Sequence, residues 1–322
     1  MKLNYEQIKS ITIGALWSEE KTDGIHFYKC SKKQIDAWTA IYPTLGKNAE
    51  TSTGVRLDFY TNSKEIRFTC SKGKYELYIN NLLRKRFMVG NDETPADQEI
   101  VCSVCDPLGA SLNEARITLY FPSHDCGCLQ SLSLDDDAYI RPPEYDCKLL
   151  MIGDSITQGW DSEYDSFSYA YQLSRALNAN SVIQGIGGAM YHETTLDEIP
   201  FDPDIVTIAY GTNDFNKFDT YQRLSWHLTK YLDGIVEMYR HKKIFVISPI
   251  WRGKTEAPMG SFEVCRSIII EEAEKRGMIH IDGLSLVPPI PELFADKWLH
   301  PNALGYGFYG ENLTRQIINH LK

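Results

Sequence analysis

What this sequence lacks narrows it first. Its 322 residues contain no internal repeat and no low-complexity tract, so stacked-repeat and fibrous architectures drop out. Nowhere do apolar residues run to the ~20 that a membrane span requires, and the amino-terminal "MKLNYEQIKSITIGALW" has no apolar core of signal-peptide length. The expectation is a soluble, cytoplasmic protein with no membrane partner. A basic stripe is missing too. With 33 Lys and Arg against 43 Asp and Glu, the formal net charge is -10, which argues against a nucleic-acid partner because phosphate binding needs concentrated positive charge.

Cysteine is present, but in a pattern that suits no zinc ribbon. Six of the eight lie before residue 130, with Cys102 and Cys105 in C-x-x-C and Cys126 and Cys128 in C-x-C. In a cytosolic chain these read as reduced, partly buried thiols, and neither a metal nor a cofactor is expected.

At 322 residues the chain is long for one core, and its pattern changes midway. Before about residue 140 short β-like runs are split by turn residues: "GVRLDFYT", "EIRFTCS", "KYELYIN", "RFMVG", "EIVCSV", "ARITLYFP" and "LQSLSLD". Alternation in Val55, Leu57 and Phe59, and again in Tyr75, Leu77 and Ile79, suits an all-β sandwich of jelly-roll type over residues 1–140. The stretch "DDDAYIRPPEYD" then reads as a linker. Over 141–322 strands alternate with helices. Strands are expected at 148–152, 181–184, 204–210, 243–248 and 279–282, and helices near 166–178, 220–241, 261–276 and 303–321, with Ser166 and Ser261 as N-caps. That rhythm implies a parallel sheet covered by helices on both faces.

Four stretches at strand ends, or in the last loop, carry chemistry. "LLMIGDSITQG" places Ser155 where a buried strand stops, either as a helix-capping residue or as a nucleophile. "QGIGGAMY" offers glycines that let a backbone N–H approach a ligand, or that only make the turn. "YGTNDF" supplies Asn213, whose amide donates to negative charge unless it merely caps a helix, and "ADKWLHPNALG" supplies His300. Acyl transfer needs these parts together: a hydroxyl, an imidazole and N–H donors for the oxyanion.

In this order, "IGDSITQG", "QGIGG", "YGTNDF" and "HPNALG" resemble the conserved blocks of the SGNH (GDSL) hydrolase superfamily over residues 148–322. The resemblance implies a flavodoxin-like three-layer α/β/α domain, with Ser155 as nucleophile and His300 as general base. It also implies an oxyanion hole of the Ser155 N–H, Gly188 (with Gly187 as fallback) and Asn213. The second glycine of G-x-S-x-G is absent, which disfavours an α/β-hydrolase elbow. The family usually sets its triad Asp three residues before the His. Here that position is Lys297, leaving either Asp296, four before, or a backbone carbonyl to orient the imidazole; Asp282 reads as structural.

With the sandwich in front, the whole chain is similar to the two-domain acetyl esterases of carbohydrate esterase family two. That resemblance implies a serine esterase taking small acyl groups, chiefly acetyl, from a small-molecule or oligosaccharide ester. The alternatives are a lysophospholipase or thioesterase, or a carbohydrate-binding protein with an inactive hydrolase domain. Trp160, Tyr164, Tyr191 and His192 lie close enough to line a pocket or to be core residues, and Trp160 is the one expected in the pocket.

Overall fold

The computed structural model describes residues 1–90 and 98–322. Contacts divide it into two units, one of Met1–Lys29 and Glu50–Tyr145, the other of Cys30–Ala49 and Asp146–Lys322. In the first, eight strands from Gly24–Tyr28 to Cys128–Leu134 fall into two antiparallel sheets. Counted along the chain, one sheet runs first, eighth, third, sixth and the other second, seventh, fourth, fifth, which is the order of a jelly roll. Thr12–Ile13 and Trp17–Lys21 add one strand to each sheet. The alternating Val55, Leu57, Phe59, Tyr75, Leu77 and Ile79 are all buried in a core shared by both sheets, where the Phe68 and Phe87 rings meet edge to face at 5.7 Å.

One part of the chain departs from the reading of 1–140 as a continuous β-domain. Residues 30–49 leave the sandwich and contribute the helices Lys32–Ile41 and Pro43–Glu50 to packing in the second unit. Their helical signal is short and lies among strands, and what they pack against is more than a hundred residues away in sequence. All eight cysteines are free thiols. Cys128 lies near Asp23 and His26, while Cys102, Cys105 and Cys126 join no cluster of three possible metal ligands among the described residues.

The second unit is the α/β domain. Its five strands are all parallel, in the order Ala179–Gly185, Cys147–Gly153, Ile205–Ala209, Lys243–Ile247, Ile279–Ile281. This 2-1-3-4-5 order is flavodoxin-like, and its switch point lies beside the second strand. Right-handed crossovers send the helix Tyr169–Ala176 to one face and the helices Tyr221–Met238 and Phe262–Lys275 to the other. The helix Ala303–Leu321 packs against Tyr169–Ala176, so both faces are covered. Ser261 caps its helix by accepting from the Glu263 N–H at 3.2 Å. Ser166 does not cap: it lies inside the 3-10 turn Asp165–Phe167, and Ser168 takes the cap position because the turn uses the intervening residues. Among the described residues no helix is long and apolar enough to cross a membrane.

Close packing at the carboxyl edge of the sheet fixes the first functional turn. The short helix Ser155–Gln158 lies so near the adjoining strand that a Cβ on Gly185 would stand 2.4 Å from the Gln158 nitrogen. Backbone cannot yield there as a side chain can. Gly185→Ala is expected to destabilise the chain by about 1–3 kcal/mol in urea denaturation, as overpacking does elsewhere, and to displace Ser155. A variant with unchanged stability would show that the helix has room to shift.

Candidate active site

Leu149, Leu150, Met151 and Ile152 are buried as a strand covered on both faces requires, and the chain turns at Gly153. Asp154, not Ser155, is the N-cap: its Oδ1 accepts from the Ile156 N–H at 2.9 Å. Burial pushes the Asp154 carboxyl up to about 7, against the pull of the backbone N–H groups it accepts. With capping assigned to Asp154, the Ser155 hydroxyl is free for other work. It lies 3.0 Å from His300 Nε2.

The other imidazole nitrogen, Nδ1, lies 3.0 Å from Asp296 Oδ2. Of the two ways to orient His300, the structure therefore has Asp296 in contact. The residue between makes this possible: Lys297 adopts φ +68°, a left-handed conformation that absorbs the additional residue. Asp296 also accepts backbone N–H groups from Trp298 at 3.0 Å, Leu299 at 2.7 Å and His300 at 3.2 Å. Partial burial works to raise the Asp296 pKa, but these donors and the imidazole outweigh it, and the carboxyl sits below its usual value. A second carboxylate, Asp161, stands 3.8 Å from His300 Nδ1. The sequence carries no sign of this placement, because Asp161 follows Trp160 in a turn and its left-handed φ of +64° has no signature of its own. Together Asp161, Asp296 and His300 bring three possible metal-ligand atoms within 4.8 Å of one another, yet the Asp296 lone pairs are already engaged by N–H groups.

The glycine turn after Ala179–Gly185 is tied to the Ser155 helix. Gln158, fully buried, accepts the Gly187 N–H at 2.7 Å. Gly187 is thereby committed, and of the two glycines it is Gly188 whose N–H has no acceptor among the described residues. The Asn213 side chain reaches this turn, donating from Nδ2 to the Ala189 carbonyl at 2.9 Å and leaving its second amide hydrogen available. Capping falls instead to Asp214, which accepts from Gly211 N–H and Tyr191 N–H, both at 2.9 Å, and whose carboxyl burial pushes up to about 7.

Two supports were not legible. Residues 30–49 brace the glycine turn: Asn48 donates to the Gly187 carbonyl at 2.8 Å, Gln34 pairs with Gln184 through bonds of 2.9 and 3.2 Å, and Ser31 donates to Asp197 at 2.6 Å. The second is Arg252, 2% exposed, which donates to the Thr212 carbonyl at 2.9 Å and to Asn216 at 3.0 Å. Its guanidinium lies among the rings of Phe215, Phe262 and Trp298, so it joins the Asn213 segment to the Asp296–His300 loop. The only hint was an arginine in "PIWRGK" directly after a strand.

Among the aromatic candidates, Trp160 is 40% exposed, with its ring centre 6.3 Å from that of His300. Tyr191 is core, packed edge-on against Tyr210 and Tyr231. Tyr164 packs on Phe167, and His192 lines a separate pocket. Asp282 caps the turn Gly283–Ser285 and pairs with Arg266, a structural placement.

Comparison with known proteins accords with this geometry. Among solved structures, a salicylyl-acyltransferase from a tetracycline biosynthetic pathway superposes with a TM-score of 0.81 at 16% identity, over 96% of this chain and 94% of that one. A family two carbohydrate esterase from Cellvibrio japonicus gives 0.66 at 15% identity, over 96% and 94%. An acetyl xylan esterase from the rumen bacterium Butyrivibrio proteoclasticus gives 0.63 at 17% identity, over 100% and 99%. At such identities the likeness is one of fold, and it extends through both units. No curated protein matches by sequence. Residues 151–308, within the α/β domain, match the model of the GDSL-like Lipase/Acylhydrolase family.

Proposed function

We propose that this protein is a serine esterase that removes a small acyl group, chiefly acetyl, from a carbohydrate ester through an acyl-enzyme. The observation that carries this reading is the relay from Ser155 Oγ to His300 Nε2, and from His300 Nδ1 to Asp296, with 3.0 Å at each step. The match to the GDSL-like Lipase/Acylhydrolase model supports hydrolysis of an acyl bond, and the sandwich in front of the α/β domain, as in the carbohydrate esterases of like fold, supports a sugar as the alcohol.

In this mechanism Ser155 Oγ attacks the ester carbonyl as its proton passes to His300 Nε2. The carbonyl oxygen becomes an oxyanion held by the N–H groups of Ser155 and Gly188 and by Asn213. Collapse breaks the bond to the sugar oxygen, which receives the proton from His300. Water then attacks the acyl-serine, again losing its proton to His300, and the acid departs while Ser155 recovers its hydrogen. Asp296 holds the imidazole in the tautomer with hydrogen on Nδ1 and stabilises the imidazolium. Trp160 offers an apolar wall beside the reacting carbon.

Initial rates on p-nitrophenyl acetate, butyrate and octanoate test the reading: acetate is expected fastest, with Ser155→Ala at the uncatalysed background. If octanoate wins, the substrate is a lipid or long-chain thioester, and if wild type and variant are alike even on acetylated sugars, the domain is not an esterase. Asn213→Ala should lower kcat about 10²–10³-fold. A loss confined to KM would remove Asn213 from the oxyanion hole. The two carboxylates beside His300 separate in the same assay. Asp296→Asn should reduce kcat on the order of 10³- to 10⁴-fold, whereas Asp161→Asn, farther from Nδ1, should cost less than about tenfold; the reverse ranking would make Asp161 the orienting acid.

A further inference from the structure

A pocket of about 470 Å³ opens beside the glycine turn, and neither Ser155 nor His300 lines it. The helix Lys32–Ile41 and Tyr42 form one wall, and Met190, His192, Phe218 and His227 another. Two basic side chains enter it. Lys217 donates to the Gly188 carbonyl at 2.8 Å, and its Nζ lies 5.0 Å from the centre of the Tyr42 ring. It makes no ion pair among the described residues, and burial pushes its amine below the ordinary lysine value. An ammonium carries three hydrogens, so donors remain. Arg223 has Asp219 as its carboxylate neighbour, at 3.9 Å with both side chains exposed, a pairing that neutralises little. Of the carboxylates near the cluster, Glu193 is engaged by His227 Nδ1 at 2.9 Å, and Asp214, whose charge acts on Lys217, is buried and accepts the Gly211 and Tyr191 N–H groups. In a chain of net charge -10, Lys217 and Arg223 bring two cations, neither in a close ion pair, to one recess, an arrangement that favours an anion.

We propose that this pocket binds an anionic group, a carboxylate or a phosphate, on the alcohol portion of the ester, so that the preferred substrate is an acylated acidic sugar. The proposal rests on the esterase reading. An acetyl group is too short to leave the Ser155 turn, so whatever occupies the pocket belongs to the alcohol. Lys217 holds the carbonyl of Gly188, the glycine whose N–H serves as oxyanion donor in the esterase reading, so one residue borders both the pocket and the reacting ester. Tyr42, Met190 and Phe218 then face a sugar ring, with Lys217 and Arg223 meeting its charge.

The test is acetate release by the full chain from O-acetylated glucuronic acid, O-acetylated glucose 6-phosphate and O-acetylated glucose. One or both anionic esters should exceed the neutral one by roughly tenfold or more in kcat/KM, mostly through KM. The preference should fade in about 1 M salt, and the faster anionic ester names the source of the charge. In Lys217→Met and Arg223→Gln the ratio of anionic to neutral rates should fall towards one. Equal rates on all three esters in the wild type, or a ratio that both substitutions leave unchanged, would overturn the proposal. If the chain does not hydrolyse even p-nitrophenyl acetate above the Ser155→Ala background, the esterase reading has failed by itself. Calorimetric titration of Ser155→Ala protein with glucuronate, glucose 6-phosphate and glucose then decides the pocket alone: tighter binding of either anion upholds it, and no difference from glucose rejects it.

Discussion

The site is built on the absence of side chains at two strand ends. Gly153 closes one central strand with its Cα so near Thr157 that a Cβ would stand 1.9 Å from the Thr157 hydroxyl oxygen. Gly185 closes the neighbouring strand under the backbone of Gln158. The Ser155–Gln158 helix can therefore lie directly on the sheet edge, and from there Gln158 reaches the Gly187 N–H. One contact sets Ser155, commits Gly187 and leaves the Gly188 N–H without an acceptor among the described residues. Bulk at either glycine would separate the Ser155 turn from the glycine turn that follows Ala179–Gly185.

Around this contact the site is held by hydrogen bonds that converge on buried acids. Asp154 accepts from the Ile156 N–H, Asp214 from the N–H groups of Gly211 and, across from the glycine turn, Tyr191, and Asp296 from Trp298, Leu299 and His300. The consequences differ with burial. Asp154 and Asp214, wholly enclosed, are pushed up to about 7, whereas Asp296, partly open and better supplied with donors, stays on the acidic side. Only the last keeps a firm negative charge at neutral pH, and it is the one that touches the imidazole.

The sequence made the strands of both halves legible because buried runs and alternation are local signals. Ser155, Asn213 and His300 were legible for a related reason: each follows a strand or opens a helix at a fixed place in an ordered set of blocks. The choice between Asp296 and a backbone carbonyl was not. It turns on the backbone conformation of Lys297, and a left-handed lysine has no signature of its own. The brace by residues 30–49 was invisible for another reason. Gln34 and Gln184 are ordinary polar residues until they face each other, 150 positions apart. Serine before a helical period usually caps, which points to Ser166, but a 3-10 turn displaces the start of the helix by two residues.

The excursion of residues 30–49 has a consequence for the order in which the chain matures. Synthesis delivers the two helices long before the strand Ala179–Gly185 and the glycine turn they meet, and the sandwich strands from Arg56–Thr61 to Cys128–Leu134 come out in between. Trp38 and Leu45, buried in the finished fold, emerge more than a hundred residues before the strands of the parallel sheet. The jelly roll, whose strands flank the excursion in sequence, can close earlier and hold it as a protruding loop, so that the last event in folding is the capture of that loop by the newly formed sheet.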